Sequence, residues 1–246
     1  IMRVATAVWG DPTIQESVAL ANIKVAFNLM IQGYYTHATP TLFNAGTRVG
    51  QLASCFLLPV ESDSIKGIFK TLNVVAQMSQ AAGGIGIGMA KIRAAGSPIS
   101  SGGVATGVMG LLPVYNKTAG YADQGRRRKG AFMVTVPLWH LESLDVITIQ
   151  HPIQPPGRER LEHLFPALWV NELFHQRVVS NGQWSFFCPA DCPLLLTTYG
   201  AEFDAAYIEY ERQGKARKVM PAREVLNIIA KMQLESGVPY MHNADL

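Results

Sequence analysis

Near the start of the chain, apolar side chains recur at helical spacing. Leu20, Ile23, Phe27, Met30 and Ile31 fall on one face at a 3.6-residue period, and Gly33 stands where such a helix would stop. A turn-rich stretch from Thr39-Pro40 to Gly50 follows, and then a short apolar run, Gln51 to Leu58. A run of that length predicts a buried strand, with Ala53, Cys55 and Leu57 on one face and Ser54, Phe56 and Leu58 on the other. Pro59 ends it, and Asp63 or Ser64 is placed to cap a second helix. The apolar stripe of that helix is Ile65, Ile68, Phe69, Leu72, Val75 and Ala76, and it runs out at Gly83-Gly84.

Ile85 to Ala90 alternates glycine with apolar residues and predicts a strand. Glycine weakens strands, so its repetition points to backbone or ligand passing close by. The Gly/Ser-rich segment 96–110 predicts a loop, Leu111 to Tyr121 a helix, Asp123 to Gly130 another loop, and Ala131 to Pro137 a strand. Gln150 to Arg160 reads as irregular. Two helices are expected beyond it, one from Leu161 to Ser180 and one opening at Pro221 and ending at Gly237. No internal repeat appears. Strands alternating with helices predict an α/β architecture.

Composition narrows the function classes. Of the 246 residues, 48% are hydrophobic and 16% charged, enough apolar matter for a sizeable core and too little charge for a disordered tail. The net charge of +3 is mild, and the one basic run, Arg126-Arg127-Arg128-Lys129, is far from the basic stripe of a nucleic-acid binder. In its glycine-flanked loop that run suits a small phosphorylated ligand as well as a nucleic-acid backbone, or is a plain solvated loop. No apolar stretch approaches the roughly 18 residues of a membrane helix. Ile1-Met2-Arg3-Val4-Ala5 lacks the layout of a signal peptide and begins in mid-pattern, as expected of a chain cut from something longer. The 3 cysteines, Cys55, Cys188 and Cys192, are too few for a secreted disulfide framework and predict a reducing, cytoplasmic setting.

Those cysteines are also the main candidates for chemistry. Cys55 can be read as a small buried hydrophobe or as a reactive thiol, with Ser54, Thr39, Asn44, Gly46 and Thr47 supplying hydroxyls and amides nearby. Cys188 and Cys192 lie in Cys-Pro-Ala-Asp-Cys-Pro. The pair falls short of the four ligands of a tetrahedral zinc site, and the prolines predict a rigid surface loop with a packing role. Gly83 to Gly88 resembles a dinucleotide fingerprint in spacing only, because these glycines follow a helix and enter a strand, the reverse of that motif. Taken alone, the residues imply an α/β protein that handles nucleotides or phosphates and carries one suspicious thiol.

A resemblance carries further. Thr36 to Thr47 (THATPTLFNAGT) followed by Gln51 to Leu57 (QLASCFL) closely resembles the start of the catalytic barrel in class I ribonucleotide reductase large subunits. The likeness continues through Ala82 to Gly86, Ile92 to Ser97, Asp123 to Gly125, Lys129 to Phe132, Pro137 to His140, Ala167 to Val170, Leu173-Phe174, Trp184-Ser185, Cys188-Pro189 and Gly237 to Met241. The matches come in family order across nearly the whole chain.

That resemblance implies the first half of a ten-stranded α/β barrel preceded by a short helical lead-in, with residues 1–50 as lead-in and 51–246 as half-barrel. It implies reduction of ribonucleotides to deoxyribonucleotides, with Cys55 as a redox cysteine that ends as half of a disulfide. Thr39, Ser54 and Gly83, beside Cys55, resemble positions that hold the substrate. A nucleoside triphosphate effector, ATP or a deoxynucleotide, is expected near Asp63, Ser64, Ile65, Arg93, Ser100 and Ser101. Asp123, Gln124, Gly125, Arg128 and Lys129 resemble the segment that relays effector identity to the substrate base. No metal or cofactor is expected on this chain. The implied partners are a second large subunit, a small subunit whose metal centre supplies the radical, thioredoxin or glutaredoxin, and a complementing C-terminal portion with the finger-loop cysteine, expected beyond Leu246.

Ser100-Ser101-Gly102-Gly103 departs from the family's more usual Arg/Ala-Gly stretch, Gln80 stands where some relatives carry Lys, and three arginines replace a common Gly-Gly. The resemblance therefore specifies no particular effector. The competing readings are a non-catalytic nucleotide-binding module and a thiol-linked metal site at Cys188 and Cys192.

Overall fold

The computed structural model describes residues 1–122 and 129–245. Three helices lead in: α1 (Met2–Trp9), α2 (Glu16–Ile31) and α3 (Thr39–Asn44). Strand β1 (Cys55–Pro59), helix α4 (Ile65–Gln80), strand β2 (Gly84–Gly88), helix α5 (Gly107–Tyr121) and strand β3 (Phe132–Pro137) follow. Then come α6 (Ser143–Val146), β4 (Leu164–Val170), α7 (Glu172–Val179), β5 (Gln183–Phe186), α8 (Gly200–Arg212), β6 (Lys218–Pro221), α9 (Ala222–Ser236) and β7 (Tyr240–Asn243).

Five strands lie side by side in the order β1-β2-β3-β4-β7, each parallel to its neighbour, while β5 and β6 form a separate antiparallel pair. Parallel neighbours need a crossover, and α4 and α5 supply the first two. The α/β half-barrel with its helical lead-in is thus the architecture found.

Alternation along the strands divides the sheet into two faces. Ile85, Ile87, Phe132, Val134, Val136, Leu164, Leu168 and Val170 point toward the helices and are fully or almost fully buried. Cys55, Leu57, Gly86, Met133, Phe165, Trp169, Tyr240 and His242 share the other face, which is open: Leu57 is 69% exposed and Tyr240 49%.

Local signals hold at several helix ends. Ser64, rather than Asp63, caps α4, its hydroxyl accepting from the Gly67 amide at 3.1 Å. Gly237 closes α9 in the left-handed conformation, φ +77°.

Tertiary context overturns other expectations. The run Gln51–Leu58 becomes a strand only from Cys55, and that strand is not buried, because β1 edges the sheet and turns Cys55 and Leu57 to the open face. On α2, Ile23, Phe27 and Met30 pack toward Ala5 and Ala26 of the lead-in, but Leu20 and Ile31 are exposed, as are Ile65 and Phe69 on α4.

The expected helix Leu161–Ser180 is instead β4 followed by α7. The strand is apolar on its open face too, at Phe165 and Trp169, so it reads as a continuous apolar run that periodicity cannot separate from a buried helix. Helix α5 starts at Gly107, four positions before the predicted Leu111. Helices α1, α3, α6 and α8 and strands β5, β6 and β7 were not predicted by the hydrophobic pattern.

In the Cys188–Pro193 loop Ala190 and Pro193 are at the surface, as expected, but both cysteines are fully buried. Two hydrogen bonds hold Cys188 there: its sulfur accepts from the Ala94 amide at 3.4 Å and lies 3.3 Å from the Ser97 hydroxyl.

Candidate nucleotide and thiol sites

The segments that follow β1 and β2 meet at the first turn of α4 and enclose a cavity of about 530 Å³. All six expected effector residues line it: Asp63, Ser64, Ile65, Arg93, Ser100 and Ser101. They come from two segments of the chain, 63–65 and 93–101, and the parallel crossover brings them together. Ile68, Phe69, Ile99, Val104 and Val114 add an apolar wall that sequence reasoning did not single out. Of these, Ile68 and Phe69 belong to the apolar stripe of α4, part of which stays exposed.

Charge is organised at the polar end. Arg93 donates from Nε to Asp63 Oδ2 at 2.5 Å and from Nη1 to the Pro98 carbonyl at 2.8 Å, with both charged side chains less than a third exposed. The segment expected as an irregular loop is a small hairpin. Gly96 donates to Ala105 O at 2.9 Å, Ala105 to Ser97 O at 2.8 Å, and Ile99 to Gly103 O at 3.3 Å. Ser100 and Ser101 sit at its exposed tip, where Gly102 and Gly103 take φ of +84° and +94°.

The base of the hairpin is fastened from beneath. Arg217 donates to Ser97 Oγ at 2.9 Å and pairs with Asp191 at 2.7 Å. His140, fully buried, places Nε2 at 2.8 Å from Ile92 O. A guanidinium, two hydroxyls and an apolar wall in one cavity suit a ligand with an anionic end and a flat apolar end.

The second cluster lies at the start of the strands. Cys55 opens β1 with its thiol exposed, opposite Gly84, in a cleft of about 480 Å³ on the open sheet face shared with Leu57, Gly86, Met133, Phe165 and Tyr240. Ser54 O accepts from the Gly84 amide at 2.7 Å, and Gly83 donates to Met78 O at 3.1 Å, so Ser54, Cys55 and Gly83 stand at neighbouring strand starts.

Thr39 opens α3, outside the lining of that cleft among the described residues. Asn44, at the end of α3, donates to Gln51 O at 2.7 Å and to Ala81 O at 3.3 Å, tying that helix to both segments. Of the expected relay segment, Asp123, Gln124, Gly125 and Arg128 lie outside the described residues, and Lys129 is exposed just before β3.

Cys55 and the cavity occupy opposite ends of β1, whose four residue steps span roughly 13 Å. Cys188 and Cys192 belong to neither site in chemistry. Burial pushes the Cys192 thiol up to about 11, so it stays protonated and serves packing. Among the described residues no group of three or more His, Cys, Asp or Glu is arranged to hold a metal ion. No helix among them is long and apolar enough to cross a membrane.

Comparison with known proteins shows the family. Residues 53–246 match the family "Ribonucleotide reductase, barrel domain", and residues 1–50 match "Ribonucleotide reductase, all-alpha domain". The chain is 43% identical over 245 residues to the ribonucleoside-diphosphate reductase large chain of Neurospora crassa, covering 98% of this chain and 25% of that protein. It is 44% identical to the large subunits of Arabidopsis thaliana and Danio rerio, again over 98% of this chain and over 29% and 30% of theirs. The chain thus spans less than a third of the length of these relatives. It belongs to the ribonucleotide reductase large-subunit family.

Proposed function

We propose that this chain is the effector-binding and substrate-cradling part of a ribonucleoside-diphosphate reductase large subunit. The observation that carries the reading is the convergence of Asp63, Ser64, Ile65, Arg93, Ser100 and Ser101 on one cavity, while the exposed Cys55 thiol stands at the far end of the same strand. In this reading the cavity takes a nucleoside triphosphate. Its base lies along the Phe69, Ile99 and Val104 wall, and its phosphates meet Arg93, the Ser100 and Ser101 hydroxyls and the hairpin amides. Thr39, Ser54 and Gly83 hold the ribonucleotide over Cys55.

The Cys55 thiol and a second thiol then supply two electrons and two protons. The ribose 2′ C–O bond breaks, the oxygen leaves as water, a C–H bond forms at C2′, and the sulfurs join as a disulfide that a thioredoxin- or glutaredoxin-type dithiol restores. The radical that makes the 2′ C–O bond labile comes from a finger-loop cysteine on a complementing segment, charged by the metal centre of a small subunit. Asp123, Gln124, Gly125, Arg128 and Lys129 relay the effector's identity to the substrate base, with a second large subunit alongside. The three free thiols suit a cytoplasmic, reducing setting.

The test is reduction of ribonucleoside diphosphates by the gene's full product, supplied with its complementing segments and a dithiol. Cys55→Ser is expected to abolish turnover while leaving triphosphate binding intact. Undiminished deoxynucleotide formation by Cys55→Ser would refute the role of Cys55. Binding with no turnover under any complementation would instead assign the chain to a non-catalytic nucleotide-binding module.

A further inference from the structure

We infer that Glu142 is a positioning residue for the triphosphate cavity: its carboxylate closes the neck of the hairpin that carries Ser100 and Ser101. Glu142 follows β3 and is 6% exposed. Its Oε2 accepts from the amides of Ala95 at 3.1 Å and Val108 at 3.0 Å, and its Oε1 accepts from Met109 at 3.1 Å. Ala95 is where the chain enters the hairpin; Val108 and Met109 form the first turn of α5, where it leaves. One buried anion therefore pins both ends of the segment. It also satisfies two of the amides that a helix start leaves without partners, at the end where the helix dipole favours negative charge.

Two neighbours are shaped around this contact. Gly107 takes φ +70°, and a Cβ there would lie 2.3 Å from Glu142 Oε2, 2.5 Å from Oε1 and 2.5 Å from Ala95 N, so only glycine lets the carboxylate reach all three amides. His140 accepts the Glu142 amide on Nδ1 at 3.1 Å and holds Ile92 O with Nε2, which makes it the neutral Nε2–H tautomer. The turn after β3 thus grips the segment at Ile92, Ala95 and Val108–Met109.

A consequence for recognition follows. Thr106 and Gly107 line the cavity, yet the start of α5 directs its amides at Glu142, so this helix end is not the phosphate site. The anionic end of the ligand falls to Arg93 and the hairpin tip, and Glu142 sets where that tip stands.

The inference rests on reading the cavity as a triphosphate site, and the experiment separates the two. Binding of dTTP and dGTP to the gene's full product is measured by calorimetry for the wild type, Arg93→Ala, Glu142→Gln and Glu142→Asp. Glutamine keeps the size but turns an NH₂ toward backbone amides. If it leaves the hairpin correctly placed in about a tenth of molecules, affinity falls about tenfold.

The expected result is loss of binding in Arg93→Ala, about tenfold weaker binding in Glu142→Gln, and partial recovery in Glu142→Asp. Wild-type affinity in Glu142→Gln alongside loss in Arg93→Ala overturns the role of Glu142 and leaves the cavity reading standing. No binding by the wild type, or full binding by Arg93→Ala, overturns the cavity reading and this inference with it. Hydrogen exchange on the ligand-free wild type is independent of how the variants fold. The amides of Ala95, Val108 and Met109 are expected to be protected before ligand is added, and fast exchange there would also overturn the inference.

Discussion

The glycines around β2 are not equivalent, and alanine scanning should rank them. A methyl at Gly83 would lie 2.6 and 2.7 Å from two carbons of the Phe56 ring and 3.2 Å from Met78 O. The ring would have to withdraw by roughly 0.8 Å to reach ordinary contact. Such overpacking costs about 1–3 kcal/mol. Removing glycine's freedom from the unfolded chain returns about 0.4–1 kcal/mol, so Gly83→Ala should destabilise by about 1–2 kcal/mol.

At Gly86 the close atoms are Leu57 Cδ1 at 2.9 Å and Met133 Cε at 3.1 Å, both ends of flexible chains, and Leu57 is largely exposed. The two terms should nearly cancel there, leaving a change within about 0.5 kcal/mol. At Gly88 the nearest atom is Pro59 Cα at 3.5 Å, ordinary contact, so Gly88→Ala should stabilise by about 0.4–1 kcal/mol. At about 2–4 °C per kcal/mol for a chain of this size, thermal unfolding followed by circular dichroism resolves the series. Gly83→Ala should melt about 2–8 °C low, Gly86→Ala near the wild type and Gly88→Ala slightly high. A Gly88→Ala variant as unstable as Gly83→Ala, or a neutral Gly83→Ala, would refute the steric reasoning. Gly86 and Gly88 share the open face with Cys55, so a stable variant that loses turnover would identify where ligand or a complementing segment lies against the sheet.

Three further outcomes are expected. Arg177 and Glu211 face each other in two 2.6 Å contacts, with Ser185 Oγ 2.6 Å from the same carboxylate and both charges less than a quarter exposed; Arg177→Met should cost about 2–3 kcal/mol in urea unfolding, and a loss below about 0.5 kcal/mol would show the pair to be energetically idle. With burial the larger effect, and partly opposed by Ile92 O and Glu142, the His140 imidazole is held below the usual histidine value of about 6.5. The unfolded chain therefore takes up the proton first. Stability is complete above pH of about 6.5 and falls by up to about 1.4 kcal/mol per unit as pH drops through the window down to the folded value; an identical acid slope in His140→Gln would exclude His140 as the source. With Cys188 and Cys192 buried, and about one part in a thousand of Cys192 ionised at pH 8, a disulfide reagent should titrate Cys55 alone in the fast phase; a second fast thiol would contradict the packing.

Helix ends, turn chemistry and ordered motifs were legible in the sequence because they depend on neighbours a few residues away. Ser64 caps α4 through its own hydroxyl, Gly237 closes α9 through its own φ, and alternation from Phe132 to Pro137 marks a strand with no knowledge of its partners. The family was legible too, since matching residues arrive in order along the chain.

Tertiary structure decided what depends on what lies across the sheet. Leu164–Val170 is a strand paired along both edges, and the apolar Phe165 and Trp169 on its open face erase the alternation by which a half-covered strand is recognised. Leu57 is apolar yet exposed because β1 is an edge with one open face. Cys188 looks like part of a surface loop until the Ala94 amide, donating to its sulfur, and the Ser97 hydroxyl, 3.3 Å from it, are found beside it from more than 90 positions earlier. Glu142 carries no motif of its own: a buried carboxylate stable as an anion needs amides to satisfy it, and only the folded chain brings Ala95, Val108 and Met109 to the same side chain.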